Sequence, residues 1–165
     1  RMECLSCHHR PESTCIDCHE SQERFIRGEA LGEKEPQPDV MAQGVQCVQC
    51  HVSISRGHSL KKVKEACVQC HDAGYGTMTD QWQQESSDRL KRLRVSLEAL
   101  RARKEGTPES RKWAEASLRE VEVRVRAIAE DKSKGVHNFV YAQDLMAKAE
   151  AKIGAMRISG LKSPE

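Results

Sequence analysis

The sequence predicts a mainly α protein in two parts: a loop-rich N-terminal region cored by something other than its own side chains, and long antiparallel helices behind it. Three observations carry this. Cys-x-x-Cys-His occurs four times in the first 71 residues and accounts for all 8 cysteines. The composition, 38% hydrophobic and 4% aromatic over 165 residues, is thin for a side-chain core of that size. From Asp80 onward the cysteines stop, and apolar residues recur at helical spacing in three successive stretches.

The motifs are Cys4/Cys7/His8, Cys15/Cys18/His19, Cys47/Cys50/His51 and Cys67/Cys70/His71. This is the spacing of c-type haem attachment. Two thiols three positions apart add across the two vinyl groups of one porphyrin, and the imidazole on the next residue turns under the ring to ligate the iron. Four motifs predict four haem c groups, with His8, His19, His51 and His71 as proximal ligands. Zinc is the competing reading, because two Cys-x-x-Cys pairs make one tetrathiolate site. It explains the cysteines and not the histidines. With His at 7 of 165 positions, one directly after every pair arises by chance about three times in a million. A disulfide framework is equally superfluous, since no cysteine lies outside the motifs.

Residues 1–79 therefore form the tetrahaem-binding region, mostly loop with short helical turns at each attachment site. Four porphyrins supply the apolar surface that the side chains lack, so without haem this region is expected to be largely unfolded. Only 6 residues separate His8 from Cys15, a reach of at most about 20 Å, so the first two haems are neighbours. Residues 20–46, with Pro36-Gln37-Pro38 and three glycines, read as a long connecting loop. Gln46-Cys47-Val48-Gln49-Cys50-His51 then repeats weakly as Ala66-Cys67-Val68-Gln69-Cys70-His71, which makes haems 3 and 4 a second pair.

Residues 80–134 predict a long helical hairpin. Asp80 and Gln83 form a capping box, and Leu90, Leu93, Leu97 and Leu100 then repeat at 3, 4, 3 spacing. Gly106-Thr107-Pro108 breaks this helix and starts the next, with Thr107 at the N-cap and Pro108 at the first helical position. Ala114, Leu118, Val121, Val125 and Ile128 form its seam. After Ser133-Lys134-Gly135, residues 135–165 hold a C-terminal helix with Phe139, Ala142, Met146, Ala149, Ile153 and Met156 on one face. Short connections favour antiparallel neighbours, so the third helix packs on the hairpin or on the haems. Ordinary bundle core is favoured over a dimerising coiled coil; a homo-oligomer through the long helices is the alternative.

The formal charge is +2. Eight propionates take it to 2 − 8 = −6, and four ferric irons, each worth one net positive charge in its porphyrin, bring it to −2. Arg89, Lys91, Arg92, Arg94, Arg101, Arg103 and Lys104 make the first long helix basic, opposed only by Glu98 between positions 89 and 104. Solvated surface is the common explanation of such a run; pairing with propionates or with a partner's acidic patch comes next, and nucleic acid is not expected. No stretch approaches the 18 to 20 apolar residues, roughly, that span a membrane, so no transmembrane segment is expected. No signal peptide is visible and the first haem thiol is at position 4, as in a processed chain or part of a longer one.

Axial ligation separates an electron carrier from an enzyme, because an iron with two axial ligands has no position for substrate. After the four proximal ligands, His9, His58 and His137 are left. His9 directly follows the first motif, an arrangement that resembles small multihaem cytochromes in which the extra imidazole ligates a neighbouring iron; His58 lies in the link between motifs 3 and 4, and His137 stands at the start of a helix. Three histidines cannot fill four distal sites. Met78 is the favoured fourth ligand, with Met2 and Met41 behind it and an outside His or an open site as alternatives.

The four motifs and most of residues 1–80 resemble the multihaem c-type cytochromes of anaerobic respiration. Gly135-Val136-His137-Asn138-Phe139 resembles the Gly-Val-His-Asn-Pro segment in the C-terminal helices of pentahaem nitrite reductases and octahaem hydroxylamine oxidoreductases. The resemblance implies that His137 is a distal haem ligand and that the protein is periplasmic or extracellular, where such haems are attached. Phe139 stands where proline is usual. The Cys-x-x-Cys-Lys motif of the nitrite reductases is absent, and the two tyrosines, Tyr75 and Tyr141, accompany four motifs instead of eight. Electron transfer among redox partner proteins is therefore the leading expectation. A redox enzyme with one five-coordinate haem, or a subunit of a polymeric cytochrome, are the alternatives.

Overall fold

The computed structural model describes residues 15–52, 63–103 and 106–158. Met2, Cys4, Cys7, His8, His9 and His58 lie outside the described residues. Cys15–Asp17 and Val40–Gln43 are single 3-10 turns; the α-helices are α1 (Glu20–Ile26), α2 (Cys47–Cys50), α3 (Val63–Cys67), α4 (Gly74–Arg101), α5 (Pro108–Asp131) and α6 (Phe139–Ile158). The protein is mainly α, with no strand among the described residues.

The three apolar seams meet in one core. Leu90, Leu93, Leu97 and Leu100 of α4 are buried with Ala114, Val121, Val125 and Ile128 of α5 and Ala142, Met146, Ala149, Ile153 and Met156 of α6, while Leu118 is partly buried. Periodic spacing thus becomes a three-helix layer because each helix has one face to remove from water. Polar contacts at the seam edges fix its directions. Gln83 donates to the Ser133 carbonyl at 3.1 Å and Arg101 pairs with Glu122, so α4 and α5 run antiparallel. Lys152 pairs with Glu120 at 2.9 Å across the α5–α6 hairpin. Arg89 bonds Glu150 and Gln143, and Arg157 donates to Ser96, so α4 and α6 run parallel. Two of the arginines in the basic run are therefore tied into the bundle, not simply solvated.

The break into α5 forms as its chemistry dictates. Thr107 accepts from the Ser110 amide at 3.2 Å, with Pro108 in the first turn, where its missing N–H costs nothing.

Two expectations need correction. The first long helix starts at Gly74, not at an Asp80 capping box: Ala73 precedes it without a side-chain cap, and Asp72 Oδ1 accepts from the Gly74 amide at 2.9 Å. Asp80 lies inside α4 and pairs with Lys64 of α3, so a tertiary ion pair takes the place of the local cap. The extra turns give α3 its docking surface.

Residues 20–46 are also more than a connecting loop. They contain α1, which packs on α5 and buries Phe25 completely against Tyr141, edge to face at 5.3 Å between ring centres. The chain then doubles back: Asp39 N–H bonds the Ile26 carbonyl at 2.8 Å, and Gly28 turns at φ 67°, where a Cβ would stand 2.3 Å from the Gln37 carbonyl oxygen.

Candidate functional site

The three described motifs share one backbone device. His19 N–H bonds Cys15 O at 3.0 Å, His51 N–H bonds Cys47 O at 2.8 Å, and His71 N–H bonds Cys67 O at 2.9 Å. Each motif is thus wound into one helical turn that carries both thiols and the imidazole together. None of Cys15, Cys18, Cys47, Cys50, Cys67 and Cys70 is in a disulfide. Burial, then the neighbouring Cys15, pushes the Cys47 thiol up; burial, then Cys67, Cys47 and Cys70, does the same to Cys50. Motif 3 consequently lies between motifs 2 and 4, with α2 against α3 and α3 against the start of α4. His71 stacks on Tyr75 at 4.2 Å. Met78 sits half-buried further along α4, and Met41 lies in the exposed 3-10 turn.

His137 is presented by the connection between α5 and α6. Lys132 (φ 61°), Lys134 (φ 59°) and Gly135 (φ 89°) all take left-handed backbone, which reverses the chain in a few residues. Glycine is required at 135, where a Cβ would stand 2.9 Å from Ser86 Oγ and 3.1 Å from Ala142 Cβ. Asp131, 1% exposed, ends α5 inside this turn. One of its carboxylate oxygens meets His137 Nδ1 at 2.6 Å; the other accepts from the Ser133 amide at 3.2 Å and from the Ser133 hydroxyl. Ser133 Oγ in turn accepts from the His137 amide at 3.0 Å. A carboxylate at Nδ1 keeps the proton there and leaves the Nε2 lone pair for a metal.

Asn138, 1% exposed, secures the other side. Its side-chain oxygen accepts from Tyr141 N–H at 3.0 Å at the start of α6, while its Nδ2 donates to the carbonyls of Gln37 at 2.7 Å and Ile26 at 3.2 Å. The helix begins at Phe139, just after His137 and Asn138. Phe139, which stands where proline is usual in the resembled segment, stacks on Trp82 of α4 at 4.9 Å. That contact gives the aromatic ring a packing role at the site where a proline would only fix the backbone.

The ring of His137 faces the ring of His51 at 6.0 Å between centres, inclined by 62°. An iron bonded to two imidazoles at about 2 Å each holds their ring centres about 6 Å apart. The donor set and its spacing fit one haem iron between motif 3 and the α5–α6 turn. Burial, with His137 and His19 nearby, holds His51 below the ordinary imidazole range, toward the neutral form that ligation needs.

Sequence reasoning singled out His51 and His137, which the structure brings together, and gave no role to Asp131, Ser133 or Asn138. Asn138 had a readable signal, an Asn directly before a helical run. Asp131 had none, because its relation to His137 exists only once the turn has formed.

No protein-family model matches the chain, and no curated protein matches it. Among solved structures, the chain is similar to the outer cell wall cytochrome OcwA, with a TM-score of 0.65 and 24% identity over 84% of this chain. It spans 34% of the length of that protein. The likeness shows the fold, which a cytochrome shares.

Proposed function

We propose that this chain is an electron carrier that holds four haem c groups, mostly with two histidine ligands each. The observation that carries the reading is the 6.0 Å pairing of His51 with His137 behind a motif that already supplies both thiols. Bound haem supplies one-electron chemistry at its iron. The chain's part is to anchor, ligate and insulate. Cys47 and Cys50 tether motif 3, His51 ligates from the proximal side and His137 from the distal side, leaving no position for a substrate. Cys4/Cys7, Cys15/Cys18 and Cys67/Cys70 tether the other three groups, with His8, His19 and His71 proximal. His9 and His58 are distal ligands to two of them, and Met78 is the candidate for the last.

The closeness of motifs 2, 3 and 4 supports a relay, because electron transfer between centres needs short separations. The fold shared with an outer cell wall cytochrome supports an exported protein that works outside the cytoplasmic membrane with protein redox partners. No helix among the described residues is long and apolar enough to cross a membrane. Anaerobic respiration is the setting that the motif resemblance favours.

Low-temperature electron paramagnetic resonance of the oxidised holoprotein, at two concentrations, tests the reading, with intact mass giving the haem number. Low-spin ferric signals alone, on four haems, are the expected result. A substantial high-spin signal at both concentrations would leave an open iron in the protomer and favour a redox enzyme; one that disappears on concentration would favour a polymer in which a neighbour supplies the missing ligand.

A further inference from the structure

We propose that Asp131 is a positioning residue that sets the reduction potential of the haem ligated by His51 and His137; this rests on the reading of His137 as a distal ligand. Asp131 occupies an unfavourable place for an acid. It is the last residue of α5, where the helix dipole repels negative charge, and the last turn of that helix carries no basic residue. Its side chain is fully buried, so water does not offset the repulsion. What occupies it is a specific set of partners: His137 Nδ1 on one oxygen, and the amide and hydroxyl of Ser133 on the other.

The two oxygens act in opposite directions on His137. A carboxylate accepting the Nδ1 proton makes the imidazole a stronger donor through Nε2, and a stronger donor favours the ferric state. The buried negative charge acts in the same sense. Ser133, by donating to the other oxygen, draws charge away from the imidazole and weakens both effects. The turn therefore contains a device and its counterweight, and the pair predicts two shifts of opposite sign.

The experiment is a spectropotentiometric titration of the tetrahaem holoprotein carrying Asp131→Asn, and separately Ser133→Ala. Asp131→Asn is expected to raise one of the four potentials by a tenfold or larger change in the redox equilibrium constant, which is 59 mV for a one-electron couple. Ser133→Ala is expected to lower the potential of that same haem. A purely structural role would loosen the turn in both variants and move the potential the same way, and that outcome overturns the proposal, as does an unmoved potential in Asp131→Asn. Should Asp131→Asn fail to assemble, Ser133→Ala decides alone: a lowered potential supports the proposal, and an unchanged or raised one overturns it. His137→Ala separates the two levels. An unaltered haem spectrum in that variant removes His137 as a ligand and the present inference with it, whereas altered ligation there with unmoved potentials in Asp131→Asn overturns only the role of Asp131.

Discussion

His51, at the end of the four-residue helix α2, faces His137, at the entrance to α6, with 6.0 Å between ring centres. One belongs to a haem-attachment motif and the other to a turn far along the chain, so the bundle and the motif region meet at this pair. Side chains of Asp131, Ser133 and Asn138 hold the turn, and the predictions that follow concern it and its supports.

Asn138→Ala removes the cap from α6 and takes a donor from the Gln37 and Ile26 carbonyls, of which Ile26 keeps the Asp39 amide. A loss of about 2 kcal/mol is expected, as one cap plus the Gln37 carbonyl left without its donor. Thermal or denaturant unfolding followed by helical circular dichroism measures it. A change near zero would mean that water replaces the side chain at the Gln37 carbonyl and at the helix start.

Gly135→Ala and Lys134→Gly should act in opposite directions. At Gly135 a new Cβ meets Ser86 and Ala142 in left-handed backbone, so about 1–2 kcal/mol of stability is lost and His137 is displaced with its turn. At Lys134, φ 59°, glycine removes strain and adds about 0.5–1 kcal/mol. The same unfolding measurement checks both, and equal signs would contradict the account of the turn.

Tyr141 predicts an alkaline limit to stability. Burial first, then the hydrogen bond to Glu33 and its charge, push the phenol above its ordinary value. A raised native value means that the unfolded chain loses its proton first. The stabilisation is therefore complete below about pH 10, the unfolded value, and declines as pH rises from there through the native value. Tyr141→Phe should cost about 1 kcal/mol at neutral pH and flatten this decline. Stability against pH for the two proteins decides, and parallel curves would assign the decline to other groups.

The sequence showed the helices where periodic seams existed and lost them where tertiary contacts decided. Leu90, Leu93, Leu97 and Leu100 mark the face of α4, and Thr107-Pro108 marks the start of α5, because spacing and capping are local properties. The true start of α4 at Gly74 was hidden, since Asp80 looks like a cap until Lys64 of α3 is brought beside it. Helix α1 was hidden for the same reason. Its one fully buried residue, Phe25, acquires meaning only against Tyr141 from the far end of the chain. At the candidate site, the thiols and the histidines that follow them were singled out by spacing, and His137 by a short resemblance. The pairing of His137 with His51 and its support by Asp131 were not, because both depend on a turn of left-handed residues that no local pattern announces.

The most direct test of the central claim is electron paramagnetic resonance of oxidised His137→Ala holoprotein beside the unaltered protein, with haem content checked by intact mass. The account predicts that all four haems stay attached, that one low-spin ferric signal is lost, and that a high-spin or water-ligated iron replaces it. An unchanged set of low-spin signals would contradict it, because His137 would then ligate nothing.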